Sequence, residues 1–400
     1  RDEVAVSWLH AFDNFNMTLT ASHNEHEQDS FYEGFVYEAE NEMTYLDARF
    51  NWSINDSHHL TFGVDNRDEE LDSETNSTSV NYVSDSFEYD TLGFYIQDTW
   101  NVNENLEIAM AVRFDSVEAD FTAPQKPGTE IDESIVSPRI DARWVHDDQW
   151  TSRISAGRGF RAPLSFFESD HGLLDGDDGF DIDVDKLERS KSLSYALSYE
   201  GDKLSITGSI ARTEVENLAA LDETPAGVPL LTQLDKDATV LVTDIALSYP
   251  LSDELTVSAT AENISYNSTF KQAFGVVPVE QRIVLSVDWE VAGWDLFASA
   301  TWVGSRDLSK YGTPEAPTFD QAGTLAKDQD ADAYWTLDVR ASTHLSEQWE
   351  VYAGATNLTN YTQAEDMETP LFFDGGEYDV AHIYGPLRGR ELYAGVKYKF

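Results

Sequence analysis

A dense run of carboxylates between positions 175 and 188 is the part of this sequence whose side chains best suit a metal ion. Hard oxygen ligands at alternating positions favour Ca²⁺, and they are supplied here by Asp177, Asp181, Asp183 and Asp185. The EF-hand pattern fails, because its sixth position, counted from Asp181, is Lys186 and not glycine. Acidic runs are usually solvated surfaces. A calcium site and a solvated acidic loop both stay open, and the solvated loop is favoured.

Arginine and tyrosine residues in or near long polar segments form a second candidate site. Guanidinium groups hold anions through charge-assisted hydrogen bonds, and aromatic rings pack against cations. Together they suit an anionic, ring-bearing small molecule. The candidates are Arg158, Arg161, Arg306, Tyr311, Tyr361 and Arg388. For each of them the alternative is an interfacial side chain that binds no ligand.

The composition excludes several other kinds of chemistry. The chain has 74 Asp and Glu against 26 Lys and Arg, a net charge of −48, so it lacks the clustered cations that neutralise nucleic-acid phosphates. It has no cysteine, which excludes disulfides and thiolate chemistry. It contains no nucleophile elbow, HExxH, Walker loop or dinucleotide fingerprint. We therefore expect neither an enzyme nor a bound cofactor.

The elements that must position these candidates are strands, because the apolar pattern has a period of two. Uncharged residues alternate with polar ones in segments such as 106–115, 255–261, 335–342 and 392–400. Successive side chains of a strand point to opposite faces. Each segment therefore presents one uncharged face and one polar, often ionised, face.

The lengths of these strands and of their connections predict a transmembrane barrel. Several alternating segments run for roughly 10 to 14 residues, and about 9 to 11 suffice to cross a bilayer at a tilt. Short turns alternate with long polar stretches at 69–87, 158–189, 304–330 and 358–386, which is the layout of outer-membrane β-barrels. The predicted fold is all-β, a transmembrane antiparallel β-barrel with about 17 strands in this chain. No run of about 18 apolar residues occurs, which excludes a membrane helix.

Tryptophan placement and strand parity refine this prediction. Trp144 and Trp150 flank one short turn, and Trp289 and Trp294 flank another, as in an interfacial aromatic girdle. The first strand leads into a short turn and the last follows a long polar stretch, so the number of strands is odd, whereas single-chain bacterial barrels have even numbers. We expect further strands upstream of Arg1, about five of them if the complete barrel has about 22.

Five sequence elements in this order resemble the barrel of TonB-dependent outer-membrane receptors. They are the segments 94–100, 137–144, 157–163 (Gly-Arg-Gly-Phe-Arg-Ala-Pro), 354–361 (Gly-Ala-Thr-Asn-Leu-Thr-Asn-Tyr) and 388–400, which ends in Phe400. The resemblance extends over nearly all of residues 1–400. No single element would suffice, and the Phe-Arg-Ala-Pro element and the terminal aromatic residue carry the most weight.

The resemblance implies active import across the outer membrane of a Gram-negative bacterium. Family members take up a scarce nutrient, here a ferric siderophore or similar iron chelate, and are energised by the TonB complex through an N-terminal plug domain. We expect residues 1–400 to be the barrel without its signal peptide, plug and first strands. Phe400 resembles the assembly signal that the barrel-assembly machinery reads. The expected protein is a monomer in contact with outer-membrane lipid and lipopolysaccharide.

Several alternatives stay open at this point. In haem receptors an element similar to Phe160-Arg161-Ala162-Pro163 precedes a loop histidine that ligates iron, and His171 follows eight residues after Pro163. The second haem-associated element, Asn-Pro-Asn-Leu, has no counterpart here. Further alternatives are a cobalamin or oligosaccharide receptor of the same family, a passive porin-like barrel, and a soluble, acidic β-propeller or sandwich enzyme.

Overall fold

The computed structural model describes most of the chain, and most of the described residues belong to β-strands. The described residues are 1–32, 35–75, 86–122, 130–164, 181–223, 225, 229–273, 278–307, 310, 330–363 and 384–399. The strands are β1 (Asp2–Ala11), β2 (Phe15–Tyr32), β3 (Phe35–Ser53), β4 (His58–Thr75), β5 (Phe87–Asn103), β6 (Leu106–Phe121), β7 (Glu130–Val145), β8 (Trp150–Arg161), β9 (Asp181–Asp183), β10 (Glu188–Glu200), β11 (Ser205–Glu216), β12 (Ala219–Glu223), β13 (Pro229–Gln233), β14 (Ala238–Pro250), β15 (Leu255–Tyr266), β16 (Gln281–Val291), β17 (Trp294–Val303), β18 (Arg306–Asp307), β19 (Asp330–Ala331), β20 (Tyr334–His344), β21 (Trp349–Thr356) and β22 (Glu391–Tyr398). The helix α1 is Ser268–Ala273.

Seventeen strands form one large sheet, which confirms the prediction of an all-β fold with about 17 strands. Its neighbouring strands pair antiparallel, as in β2 with β3 and in β16 with β17. Two small sheets accompany it: β12, β13 and β9 form one, and β18 and β19 form the other. No helix among the described residues is long and apolar enough to cross a membrane.

The strands at the start of the chain are longer than the sequence predicts. Strands β2 to β7 have 16 to 19 residues each, although about 10 cross a bilayer. The pairing of β3 with β4 continues to Tyr37↔Thr75, so the predicted polar stretch 69–87 begins as strand. Backbone hydrogen bonds do not depend on side-chain polarity, and pairing therefore continues after the apolar pattern has ended.

The chain divides into two compact units, which we describe separately. Unit 1 contains residues 1–144, 153–193 and 213–238, and unit 2 contains residues 145–152, 194–212 and 239–400. In both units the short turns lie between strands at one end, which we call the short-turn end. The longer connections follow the opposite ends of the strands, the long-loop end.

The two faces of the strands in unit 1 reverse the arrangement of a soluble protein. One face, which we call the outer face, exposes large apolar side chains: Leu46, Ile96, Met110, Phe114 and Val136, each 42–52% exposed. The opposite, inner face carries carboxylates of which Asp47 and Asp65 are each 6% exposed and Asp115 is 0% exposed. Apolar side chains turned outward and buried charges turned inward fit a sheet that has lipid on one side.

Unit 2 has the same division, and its turns carry the expected aromatic residues. Leu285 and Trp289 are 45% and 44% exposed on one face of β16, while Asp338 and Arg340 belong to the opposite face of the sheet. Trp294 and Trp349, next to short turns, are 44% and 45% exposed, and the Trp349 ring lies 4.7 Å from the ring of Tyr398. These positions agree with the predicted girdle.

Beyond the apolar part of the outer face, seven neighbouring strands of unit 1 place a carboxylate at the same register position. Each residue lies directly opposite the next one across the sheet. We call these residues the carboxylate row: Asp2, Glu25, Glu42, Glu70, Glu88, Asp120 and Glu130. Like charges directly opposite each other destabilise a sheet. Accordingly, the pKa of Glu70 is raised above its ordinary value, first by Asp72, then by partial desolvation and by Glu88.

Candidate functional site

A folded set of loop segments covers the inner face of unit 1 near its long-loop end. The three-stranded sheet of β9, β12 and β13 and the segment 184–188, which we call the loop cap, bury apolar side chains against β5, β6 and β7. The residues of this core are Phe87, Val117, Ala119, Phe121, Ile131, Ile135, Leu164, Val184, Leu187, Ala219 and Leu231. Val184 and Leu187 are fully buried, so the cap is held by a dry core and not only by hydrogen bonds.

One amide side chain joins the two segments of the loop cap. The Gln233 amide accepts hydrogen bonds from the backbone N–H groups of Asp185 (3.2 Å) and Lys186 (3.1 Å). It also donates to the backbone carbonyls of Lys186 (2.8 Å) and Asn217 (2.9 Å). Asn217 has a positive φ of 56°, and its side chain donates to the Leu187 carbonyl at 3.1 Å. These bonds satisfy backbone groups that a buried loop would otherwise leave unpaired.

Arg161 of the Phe-Arg-Ala-Pro element lies at the end of β8 and binds within the loop cap. Its Nε donates to Glu188 Oε2 at 2.7 Å, and Glu188 Oε1 accepts from the Ala219 backbone N–H at 2.9 Å. Glu188 is 5% exposed. This buried carboxylate needs a cation, and Arg161 supplies it. The ion pair therefore links β8 to the loop cap.

Arg158 lies on the outer face. It belongs to strand β8 and not to a loop, and a side chain at the preceding Gly157 would point toward Arg139 of the inner face. Alternation along the strand therefore places Arg158 on the same face as Ile154, which is 48% exposed. From there the guanidinium does not face a ligand on the inner side.

The inner wall below the loop cap is an ordered network of charges. Arg113 donates to both oxygens of Asp65, at 2.6 and 2.7 Å, and its Nε donates to Asp115 Oδ1 at 2.7 Å. A Cβ atom at Gly93 would collide with the Arg113 guanidinium, so any larger residue there would force this guanidinium to shift. Among the described residues, Asp115 Oδ2 and Thr91 Oγ1 are buried without a hydrogen-bond partner.

Unit 2 brings two of the predicted ligand residues into one cluster. Arg306 is 3% exposed; it donates to the Tyr384 carbonyl and lies 5.9 Å from the centre of the Tyr384 ring. Tyr361 stacks on Tyr334 with 4.5 Å between ring centres. Burial is the main cause that raises the pKa of Tyr334, and Arg306 lowers it. The four side chains therefore form an arginine–tyrosine cluster at the long-loop end.

Asn357, in the Asn-Leu-Thr-Asn-Tyr element, connects this cluster to the last strand. Its side chain donates to the carbonyls of Tyr361 (2.6 Å) and Arg388 (3.1 Å) and accepts from the Tyr361 N–H (3.1 Å). Its φ of 46° is in the left-handed region that Asn tolerates. The Arg388 side chain itself is 86% exposed and lies 3.6 Å from Glu391, so it is the accessible member of the predicted set.

The described part of the acidic loop does not gather its carboxylates. The Asp183 and Asp185 side chains are exposed, and Asp185 lies 3.4 Å from Lys186. Among the described residues, the carboxylates close enough to share an ion belong to Glu25, Glu27 and Glu40 and to Glu214, Glu216 and Asp237. Asp181 lies in β9, and its side chain is outside the description. Asp177, His171, Tyr311 and Phe400 lie outside the described residues.

Sequence reasoning missed the residues that hold the site together. Gln233, Asn357, Tyr334 and Tyr384 were not predicted. The element at 354–361 contains two Asn residues at short spacing, which is typical of left-handed turn positions, and this pattern could have indicated Asn357. No local pattern marks Gln233, since its partners are 16 to 48 positions away in the sequence.

Comparisons with known proteins agree with this architecture. A family model described as "TonB dependent receptor-like, beta-barrel" matches residues 1–358. The chain belongs to this family. A search by sequence among curated proteins finds no match. The family assignment therefore depends on the family model and the fold.

Several solved structures superpose on the whole chain. A structure titled "Copper transporter OprC" has a TM-score of 0.76 at 15% identity, and the FrpB iron transporter from Neisseria meningitidis has 0.73 at 14%. The ferric-catecholate import receptor Fiu from K12 E. coli has 0.70 at 12%. Each match covers 100% of this chain but only 62–65% of the other chain. At such identities the likeness shows the fold alone.

Proposed function

We propose that this chain is the barrel part of an outer-membrane receptor that imports a scarce nutrient, most simply a ferric siderophore or similar iron chelate. The observation that supports it is the opposition of the two faces: exposed apolar side chains outside and paired charges inside. This arrangement suits a wall between lipid and a polar interior. The family assignment adds transport to that picture.

Energy would come from the TonB complex through a plug domain outside these 400 residues. The inner wall, where Arg113 pairs with Asp65 and Asp115, is polar and suits contact with such a domain. Further strands would precede β1, and Phe400 would serve the barrel-assembly machinery.

The cargo is inferred from the chemistry of the long-loop end. The arginine–tyrosine cluster and the exposed Arg388 suit an anionic, ring-bearing chelate. The titles of similar structures name copper and iron transport. Thioether and thiolate ligands select Cu(I), whereas this chain has 4 methionines and no cysteine; iron is therefore the first cargo to test.

Uptake of radiolabelled ferric siderophores by iron-starved cells tests this proposal. We expect deletion of the gene to abolish uptake of one siderophore, and the full-length protein to restore it. The Arg388→Gln variant should raise the apparent KM about tenfold, since it removes an exposed charge-assisted contact. Lys203→Gln, at the short-turn end, is the matched control and should behave as wild type. Unchanged uptake of every ferric chelate after deletion would refute iron import.

A passive porin is the rival function, and planar bilayers separate the two. The full-length receptor, filled by its plug, should conduct almost no current. Steady channels of porin-like conductance from the full-length protein would favour the porin. That result would leave the barrel fold intact and remove only the energised step.

A further inference from the structure

Two cations lie on paired strands of unit 1, where the apolar part of the outer face ends toward the long-loop end. Arg158 follows Ile154 on the outer face of β8, and Lys191 precedes Leu193 on β10. Leu193 is 55% exposed and Ile154 is 48% exposed. Alternation places both cations on the face of these apolar side chains, next to the surface that lipid tails would cover.

These cations line a recess with a volume of about 300 Å³ on that face. Its wall includes three cations, Arg158, Arg189 and Lys191, and one carboxylate, Glu216, while Val136, which is 52% exposed, contributes an apolar edge. Ser134, on the same face of β7 as Val136, also lines the recess. A pocket with cations and a hydroxyl donor beside an apolar surface suits an anionic group that is attached to acyl chains.

The internal partners of the three cations leave one of them available. Lys191 bonds to Glu216, and Arg189 bonds to Glu133. Arg158 forms neither a hydrogen bond nor an ion pair with any residue that the structure describes. The charges of Arg158 and Lys191 repel each other, and Glu216, which bonds to Lys191, attracts Arg158 without a direct contact. An anion placed between the two cations would relieve the repulsion and give Arg158 a partner in direct contact.

An alternative explanation, in which the two side chains only snorkel into water, accounts for less of this arrangement. Snorkelling places single cations at a membrane boundary, but here three converge in one recess, in a chain where acidic residues outnumber cations 74 to 26. The neighbouring outer surface of β1 to β7 carries the carboxylate row instead. We propose that this recess, which we call the cation recess, binds the phosphate group of an outer-leaflet lipid, with Arg158 and Lys191 as its main ligands.

Binding of lipid A by the purified full-length protein in non-ionic detergent tests the proposal. The probes are bisphosphorylated lipid A, the same lipid after phosphatase treatment, and inorganic phosphate, and native mass spectrometry counts the bound molecules. Arg158→Gln should weaken binding of lipid A about tenfold, and the double variant Arg158→Gln, Lys191→Gln further. The control Lys203→Gln should bind as wild type.

Each outcome of the binding experiment either supports or refutes the lipid site. Weaker binding by both recess variants, together with weak binding of the dephosphorylated lipid to all proteins, supports the site. Equal binding of lipid A by wild type and Arg158→Gln overturns the proposal. The single variant breaks no internal ion pair among the described residues, and heat-modifiable migration on gels verifies that it folds. Displacement of lipid A by inorganic phosphate at about its physiological millimolar concentration would show a site for free phosphate and overturn the lipid assignment.

Discussion

The carboxylate row and the cation recess occupy the same outer face of unit 1, yet they bear opposite charge. On β4 the apolar residues of this face are followed by Asp68 and Glu70, and on β8 they are followed by Arg158. Across β1 to β7, the described neighbours opposite the members of the row are themselves carboxylates, whereas the recess pairs Lys191 with Glu216. A single face of one sheet therefore offers two environments to the headgroup region of a membrane.

The difference teaches that net charge does not describe such a surface. With a net charge of −48, the chain as a whole should repel phosphate. Electrostatic interactions beyond about 8–10 Å are screened at physiological ionic strength, so a phosphate senses mainly the residues next to it. The row should need counterions, and the recess should need an anion.

Reversal of charge in the recess should give the largest effect. We expect Arg158→Glu to lower the affinity for bisphosphorylated lipid A about a hundredfold, because it replaces an attraction by a repulsion next to Lys191. Titration with the lipid A probe, followed by native mass spectrometry, measures the loss. The companion variant Glu88→Lys in the carboxylate row should bind the lipid at least as well as wild type. If both reversals had equal effects, the two regions would not differ as we describe.

Neutralisation of the row should stabilise the protein moderately. The double variant Glu70→Gln, Glu88→Gln removes a directly opposed pair of like charges, so we expect a gain of a few tenths to about 1 kcal/mol at low salt. Thermal or urea unfolding in detergent measures it. The gain should vanish near 1 M NaCl, where the screening length is about 3 Å. The matched variant Glu216→Gln should destabilise instead, since it removes the partner of Lys191. A gain that persisted at high salt would show that repulsion is not its cause.

The pH dependence of stability should give the smallest effect, with opposite signs in the two regions. Because the folded protein raises the pKa of Glu70, the native state binds protons more readily there, and stability falls as pH rises through the raised pKa. Hydrogen bonding from Lys191 lowers the pKa of Glu216, so its contribution is present above the unfolded value and is lost as pH falls through the folded one. Unfolding in urea between about pH 4 and pH 7.5 should show a flatter rise in stability on acidification for Glu70→Gln than for wild type. An unchanged slope would contradict the assignment for Glu70.

The sequence was sufficient to predict the sheet, because a period of two is a local property. Met110 and Phe114 are exposed on one face and Asp115 is buried on the other, as alternation requires. The extension of β4 to Thr75 was not predictable in this way, since the polar residues beyond Val64 carry no apolar pattern. The carboxylate row likewise depends on register across seven strands, which no single segment contains.

The candidate site was predicted only in part. Residue type indicated Arg306, Tyr361 and Arg388 as possible ligand groups, and the structure brings Arg306 and Tyr361 into one cluster. The type of Arg161 does not reveal its partner, because Glu188 lies 27 positions away and burial of that carboxylate depends on the loop cap. The position of Arg158 was likewise not predictable from its type. The face of the sheet on which it lies depends on the bounds of β8, and the sequence predicted that it lies in a loop.

The ion-pair network of the inner wall depends on Gly93, which has no side chain. Any larger residue there would push the Arg113 guanidinium aside, and Asp65 and Asp115 would then be left as two buried carboxylates without their shared cation. The stability lost on substitution of Gly93 would therefore measure how strongly the paired side chains of β4 and β6 depend on the backbone of β5. A mutational scan would register it as an intolerant glycine in the middle of an ordinary strand.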